Sequence, residues 1–165
     1  MVQIGQFEAL LYLPFVLPLC FYTAFTDMRD MKITNQTVLV LGGVFVILGV
    51  IALPLDAYLW RLVQLVCVLL TGIVLNAAGI LGAGDAKFAA AAAPYISGSD
   101  LQLVSMILMA TMLAAVATHR TVRMTPLRKL APHWISWGKK NDFPMGLALA
   151  GALAIYLGLG AIVGA

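Results

Sequence analysis

Apolar residues in this chain are gathered into long blocks instead of recurring at amphipathic intervals, and polar residues collect in the gaps. Nearly uncharged runs cover residues 9–26, 37–55, 62–81, 86–97, 101–118 and 143–163. A helix rises about 1.5 Å per residue and the hydrocarbon of a bilayer is about 30 Å thick, so a run near twenty residues crosses it. The fourth run, from Ala86 to Ser97, rises only about 18 Å as a helix. It is expected either to cross with its ends shielded by protein or to form a partial helix, because exposed backbone is tolerated in a membrane only inside protein or beside a wet cavity. The pattern predicts an all-α integral membrane protein, a bundle of six transmembrane helices with the fourth short. It forms a single membrane-embedded domain over residues 1–165, with no repeat and no soluble second domain.

Composition sharpens this. Hydrophobic residues make up 62% of the chain and charged residues 10%, with a mean hydropathy of +1.00, which excludes an ordinary soluble domain. No basic cluster precedes the first block and no small-residue cleavage pattern follows it, so the first block is expected to stay as a span. Pro14 and Pro18 are expected to bend that span, while Gly146, Gly151, Gly158, Gly160 and Gly164 suit close packing in the last one. Cys20 and Cys67 fall inside apolar blocks without metal-ligand spacing and are read as buried thiols.

Charge sets an orientation. Arg29 and Lys32 follow the first block, Lys87 opens the fourth, and Arg120, Arg123, Arg128, Lys129, Lys139 and Lys140 lie between the fifth and sixth. All Lys and Arg except Arg61 therefore fall on one side, which the positive-inside rule makes cytoplasmic. Both termini are then extracytoplasmic, and Glu8, Asp56, Arg61 and Asp100 belong to the outer face.

Acidic residues at the edges of spans are costly and mark candidate sites. Asp27 closes the first span, and Asp85 ends Gly82-Ala83-Gly84-Asp85 at the mouth of the short fourth one. The predicted topology brings both to one face. Two carboxyls in a partly dry site suit peptide hydrolysis, one ionised to activate water and the other protonated to polarise the carbonyl. Gly82 and Gly84 are expected to let the chain turn sharply and a substrate backbone lie close. Asp85 at a helix N-terminus is favoured as the charged base, and Asp27, at a helix C-terminus, as the protonated partner. The plainer alternatives are that Asp85 caps a helix beginning at Ala86, and that Asp27 marks the water boundary together with Arg29, Asp30 and Lys32.

Asp27-Met28-Arg29 with Ile33 and Asn35, and Gly82-Ala83-Gly84-Asp85-Ala86-Lys87-Phe88, resemble the two signature segments of type IV prepilin peptidases, which are GxGD membrane aspartyl proteases. The compact six-span form is most similar to the tight-adherence (Flp pilus) members. The resemblance implies Asp27 and Asp85 as the catalytic pair. Gly82, Gly84, Lys87, Asn35 and Asp30 are the expected substrate-binding or loop-shaping residues, with neither metal nor cofactor. It implies prepilin and pseudopilin precursors as substrates, each with a short basic leader, a glycine before the cut and a hydrophobic helix, cleaved at the cytoplasmic face of a bacterial inner membrane. Thr34 stands where the family usually has proline, and Phe143-Pro144-Met145-Gly146 matches the family only loosely. Longer members carry a cysteine-bearing insert and also methylate the new N-terminus; this chain lacks both insert and cysteines there, so peptidase activity alone is expected.

The segment His119 to Asp142 is basic, with Trp134 and Trp137 interleaved, and is read as an anchor for anionic headgroups, with contact to pilus-assembly proteins as the lesser reading and nucleic acid excluded. A basic loop repels a basic leader, so Asp30 and Asp142 suit the leader better. His119 and His133 are not read as a metal pair, and Lys87, two residues from Asp85, does not share its helix face. A proton- or cation-coupled transporter using the two aspartates, or a non-catalytic scaffold for pilus assembly, remains the rival reading.

Overall fold

The computed structural model describes residues 2–138 and 143–165, and its elements are helices. In chain order they are α1 (Gln6–Asp30), α2 (Asn35–Ala52), α3 (Leu55–Ala77), α4 (Ala83–Ala92), α5 (Leu101–Met124) and α6 (Met145–Val163). Five of them, all but α4, are long and apolar enough to cross a membrane. Large apolar side chains cover the outside: Leu39 is 74% exposed, Ile47 69% and Leu113 74%. Such a surface is unfavourable in water and natural against lipid tails.

α6 lies at the centre, packed against α1 on one side and α5 on another, with α4 on a third. Of the glycines expected to tighten this end of the chain, Gly146, Gly160 and Gly164 do so, a Cβ at Gly164 standing 2.6 Å from the Ile4 carbonyl oxygen. A Cβ at Gly160 would meet Ile4 Cγ2 at 2.5 Å and Ala9 Cβ at 3.0 Å, whereas Gly158 has nothing within 4 Å and Gly151 only Thr111 at 3.9 Å. α1 continues through both Pro14 and Pro18 without interruption. Cys20 is buried as expected, but Cys67 is exposed on α3, because that helix turns much of its surface outward.

The short fourth helix ends inside the protein. α4 has 10 residues and is followed by a 3₁₀ turn at Ala93–Tyr95 that is wholly buried. A helix ending there leaves carbonyls that lipid cannot satisfy. Arg61 of α3 supplies the missing donor, its Nη1 giving a 3.0 Å hydrogen bond to the Pro94 carbonyl. Its Nη2 lies 3.6 Å from Glu8 Oε1 of α1. Close by, Asp100 accepts from the Gln3 and Ile4 amides at 2.9–3.0 Å and from the Tyr156 hydroxyl at 2.8 Å. Glu8, Arg61 and Asp100 are thus buried at that end of the bundle. The terminal segments are tied there too, through Gln6 N–H to the Ala165 carbonyl and Ala165 N–H to the Ile4 carbonyl, both 3.1 Å. Both chain ends therefore lie at the same end of the bundle.

Candidate active site

Glu8 and Asp27 are separated along α1 by about 28 Å, close to a hydrocarbon thickness, which puts Asp27 at the opposite end from the buried network just described. α1 does not stop at Asp27 but continues to Asp30, where Met31 adopts a left-handed conformation (φ 53°, ψ 40°) and gives its N–H to the Asp27 carbonyl at 2.9 Å. The chain thereby turns back within a few residues. Thr34 then starts α2, its hydroxyl accepting the Thr37 N–H at 3.2 Å. The departure from proline at this position thus supplies an N-cap.

The Asp27 side chain is 5% exposed, and its Oδ2 accepts the Gly146 N–H at 2.6 Å. Asp27 therefore lies in the last turn of one helix and faces the amino end of another. The expected division of labour, in which Asp85 alone enjoyed a helix N-terminus, loses its basis: both carboxyls stand at one.

Asp85 lies in the first turn of α4, which begins at Ala83 and not at Ala86. It is consequently not the cap; Gly82 holds that position, with no side-chain capping bond. Gly82 has φ −64° and ψ 142°, open to any residue, so the sharp turn expected of it is not what requires glycine. The left-handed glycine lies earlier, at Gly79 (φ 73°), just past the end of α3. What Gly82 provides is space, because a Cβ there would sit 2.5 Å from Asp85 Oδ2. Gly84 does the same for the loop after α1, where a Cβ would meet Ile33 Cβ at 3.3 Å.

Ile33 joins the two halves of the site. Its Cβ faces Gly84 on α4, and its Cδ1 would lie 2.9 Å from a Cβ at Gly146 on α6. Around this side chain the first turn of α4, the end of α1 and the start of α6 converge. Asp85, next to Gly84, therefore stands on the turn of α4 that Ile33 ties to the α6 turn holding Asp27. Asp85 is half-buried, and burial raises its carboxyl above the ordinary aspartate range.

Two more of the expected residues meet beside this pair. Lys87 Nζ donates to Asn35 Oδ1 at 3.0 Å, linking α4 to the first residue of α2. Both stand at one end of an apolar cleft of about 540 Å³ between α2, α3 and α4, floored by Ala90 and Ala91. Asp30, by contrast, is held by its neighbour Arg29 through bonds of 2.7–3.1 Å on the surface. Asp142 lies outside the described residues, as do Lys139 and Lys140. His119 stacks on Trp137 at 5.0 Å and Trp137 on Trp134 at 5.7 Å, forming an aromatic layer at this end of the bundle. Among the described residues no cluster of His, Cys, Asp and Glu is suited to a metal.

Gly146, which donates to Asp27, was read from the sequence as a packing glycine and as part of the loosely matching Phe143-Pro144-Met145-Gly146, without a role beside the aspartates. Its one signal was the Pro-Met-Gly step opening an apolar run.

The sequence model of the type IV leader peptidase family matches residues 15–119, a stretch containing both aspartates and stopping short of α6. No curated protein and no solved structure matches the chain. The match covers well over half of a multi-helix, lipid-compatible bundle, and from it the chain belongs to the type IV leader peptidase family, whose members are proteases acting on prepilins.

Proposed function

We propose that this protein is a membrane aspartic endopeptidase that removes the basic leader from Flp-type prepilins and pseudopilins at the cytoplasmic face of a bacterial inner membrane. The observation that carries the assignment is the meeting of the Asp27 end of α1, the first turn of α4 with Asp85, and the start of α6 around Ile33. Two carboxyls sharing a partly dry site oppose the loss of the second proton, so in this mechanism they hold one proton between them and titrate as a unit. The ionised carboxylate takes a proton from water as its oxygen attacks the scissile carbonyl carbon. The protonated carboxyl donates to the carbonyl oxygen. Collapse of the tetrahedral intermediate breaks the C–N bond as the leaving nitrogen accepts a proton, giving a leader ending in a carboxylate and a mature chain with a free amine.

Orientation follows from charge. Arg29, Lys32 and Lys87 flank the aspartates, and Arg120, Arg123 and Arg128 stand at or just beyond the end of α5. The positive-inside rule assigns this end to the cytoplasm and the chain termini to the other side. The basic segment with its Trp134–Trp137 layer anchors that end among anionic headgroups. The whole chain acts as a single domain, and the peptidase step is its activity, without methyl transfer.

The test is co-expression with a Flp-type prepilin in a host lacking its own peptidase, following leader loss by gel mobility for the wild type, Asp27→Asn and Asp85→Asn. Each isosteric change abolishes processing while membrane abundance stays the same. Processing that survives either change rejects the two-aspartate mechanism, and a wild type that cuts no pilin rejects the assignment itself.

A further inference from the structure

The family match ends at residue 119, yet the buried carboxyl of Asp27 is held by a segment beyond it. We propose that the turn opening α6 is a third functional segment, in which Gly146 is a positioning residue: its N–H fixes Asp27 Oδ2 and leaves Oδ1 as the oxygen that takes the proton or faces the water. This deepens the two-aspartate reading and rests on it.

Three observations converge on Gly146. The bond from its N–H to Asp27 Oδ2 is 2.6 Å, shorter than an ordinary N–H···O hydrogen bond, and it is buried. Pro144 is itself fully buried immediately before α6, so the direction of this N–H is set by packing and not by a free loop. Finally, the position has room for glycine alone, since a Cβ would lie 2.9 Å from Asp27 Oδ2, 3.0 Å from its Cγ and 2.9 Å from Ile33 Cδ1.

Those clashing atoms are side-chain ends, which can move without breaking the fold. An alanine at Gly146 therefore displaces the carboxyl and the Ile33 tip while α6 keeps its packing on α1. Backbone donors directed at a reacting group are preorganised by the fold, and the loss of one typically costs about a hundredfold or more in kcat. A residue acting only in packing would change abundance and leave the protonation of the pair untouched.

The experiment compares purified wild type, Gly146→Ala and Gly158→Ala in lipid vesicles, measuring kcat and KM on a prepilin peptide across pH. Gly158 serves as the control because nothing lies within 4 Å of its added Cβ. Gly146→Ala loses about a hundredfold in kcat with KM little changed, and its pH profile is displaced; Gly158→Ala matches the wild type. A Gly146→Ala enzyme with wild-type kcat and pH profile overturns the proposal. A second readout needs no substitution at Gly146. In glycine-labelled protein the Gly146 amide resonance lies downfield, titrates with the same midpoints as activity, and moves upfield in Asp27→Asn. A resonance indifferent to pH and to Asp27→Asn also overturns it. If Asp27→Asn itself cleaves, the aspartate pair is at fault; if Asp27→Asn is dead and Gly146→Ala is normal, only the positioning role fails.

Discussion

Gly82→Ala tests how closely the fold has fitted the space around Asp85. The backbone at Gly82 (φ −64°, ψ 142°) accepts alanine without strain, but alanine is the poorer helix cap by roughly 1 kcal/mol, so a modest loss of stability is expected beside any loss of activity. The added methyl, however, would stand 2.5 Å from Asp85 Oδ2, and ordinary contact begins at 3.4 Å. The carboxyl must therefore retreat by roughly 0.9 Å or rotate away, and misplacement of a reacting group by about 1 Å costs on the order of a hundredfold in rate. That corresponds to about 2.7 kcal/mol of transition-state stabilisation. Single-turnover cleavage of a fluorogenic prepilin peptide, with thermal unfolding of the same preparation, separates the two effects. Gly84→Ala is the companion, because its Cβ would meet Ile33 Cβ at 3.3 Å, a crowding of about a tenth of an ångström that a small loop shift relieves. A Gly82→Ala enzyme with wild-type single-turnover rate, or one slowed no more than Gly84→Ala, refutes the steric account of the glycine pair.

Three further outcomes follow from the same geometry. Arg61→Ala leaves the Pro94 carbonyl and the Glu8 carboxyl without their buried partner, and the loss of one member of such a pair costs about 3–5 kcal/mol, so membrane abundance and melting temperature fall sharply while surviving protein still cleaves. Lys87→Met and Asn35→Ala each remove the 3.0 Å bond joining α4 to α2, and their effects on kcat/KM combine to less than the sum of the two; additive losses would mean the bond has no part in shaping the site. Activity against pH is bell-shaped, because the pair works with one proton. The acid limb marks binding of the second proton, and the alkaline limb marks loss of the shared one. Burial favours the neutral form of Asp85, so the alkaline limb lies above the ordinary aspartate range; a limb at ordinary aspartate pH, measured in kcat, contradicts that environment.

The helical skeleton was legible because apolar block length is a direct physical requirement of a bilayer. The short fourth run was correctly singled out, but what makes it tolerable was not readable. Arg61 and Pro94 are far apart in sequence, and charge counting placed Arg61, Glu8 and Asp100 on the outer face without revealing that they are buried and bonded. Helix ends were blurred for a related reason. Apolar content drops at Asp27, yet hydrogen bonding carries α1 on to Asp30, and α4 begins at Ala83 with Gly84 in its first turn, a residue that local propensity disfavours in a helix. Asp27 and Asp85 stood out because charge beside an apolar block is rare. Gly146 did not, because a glycine in an apolar helix reads as packing until the partner of its N–H is known. Equally, the dipole contrast between the aspartates considered each helix alone, and α6 contributes an N-terminus to Asp27 that no local window contains.

The central claim is that the two aspartates form one catalytic unit. It is tested most directly by single-turnover prepilin cleavage with Asp27→Asn, Asp85→Asn and the double variant, reconstituted at equal amounts in vesicles. Residues acting as a unit give non-additive losses, so the double variant is predicted to be no slower than either single one. Losses that multiply in the double variant, or a single variant that cleaves at close to the wild-type rate, would contradict the account.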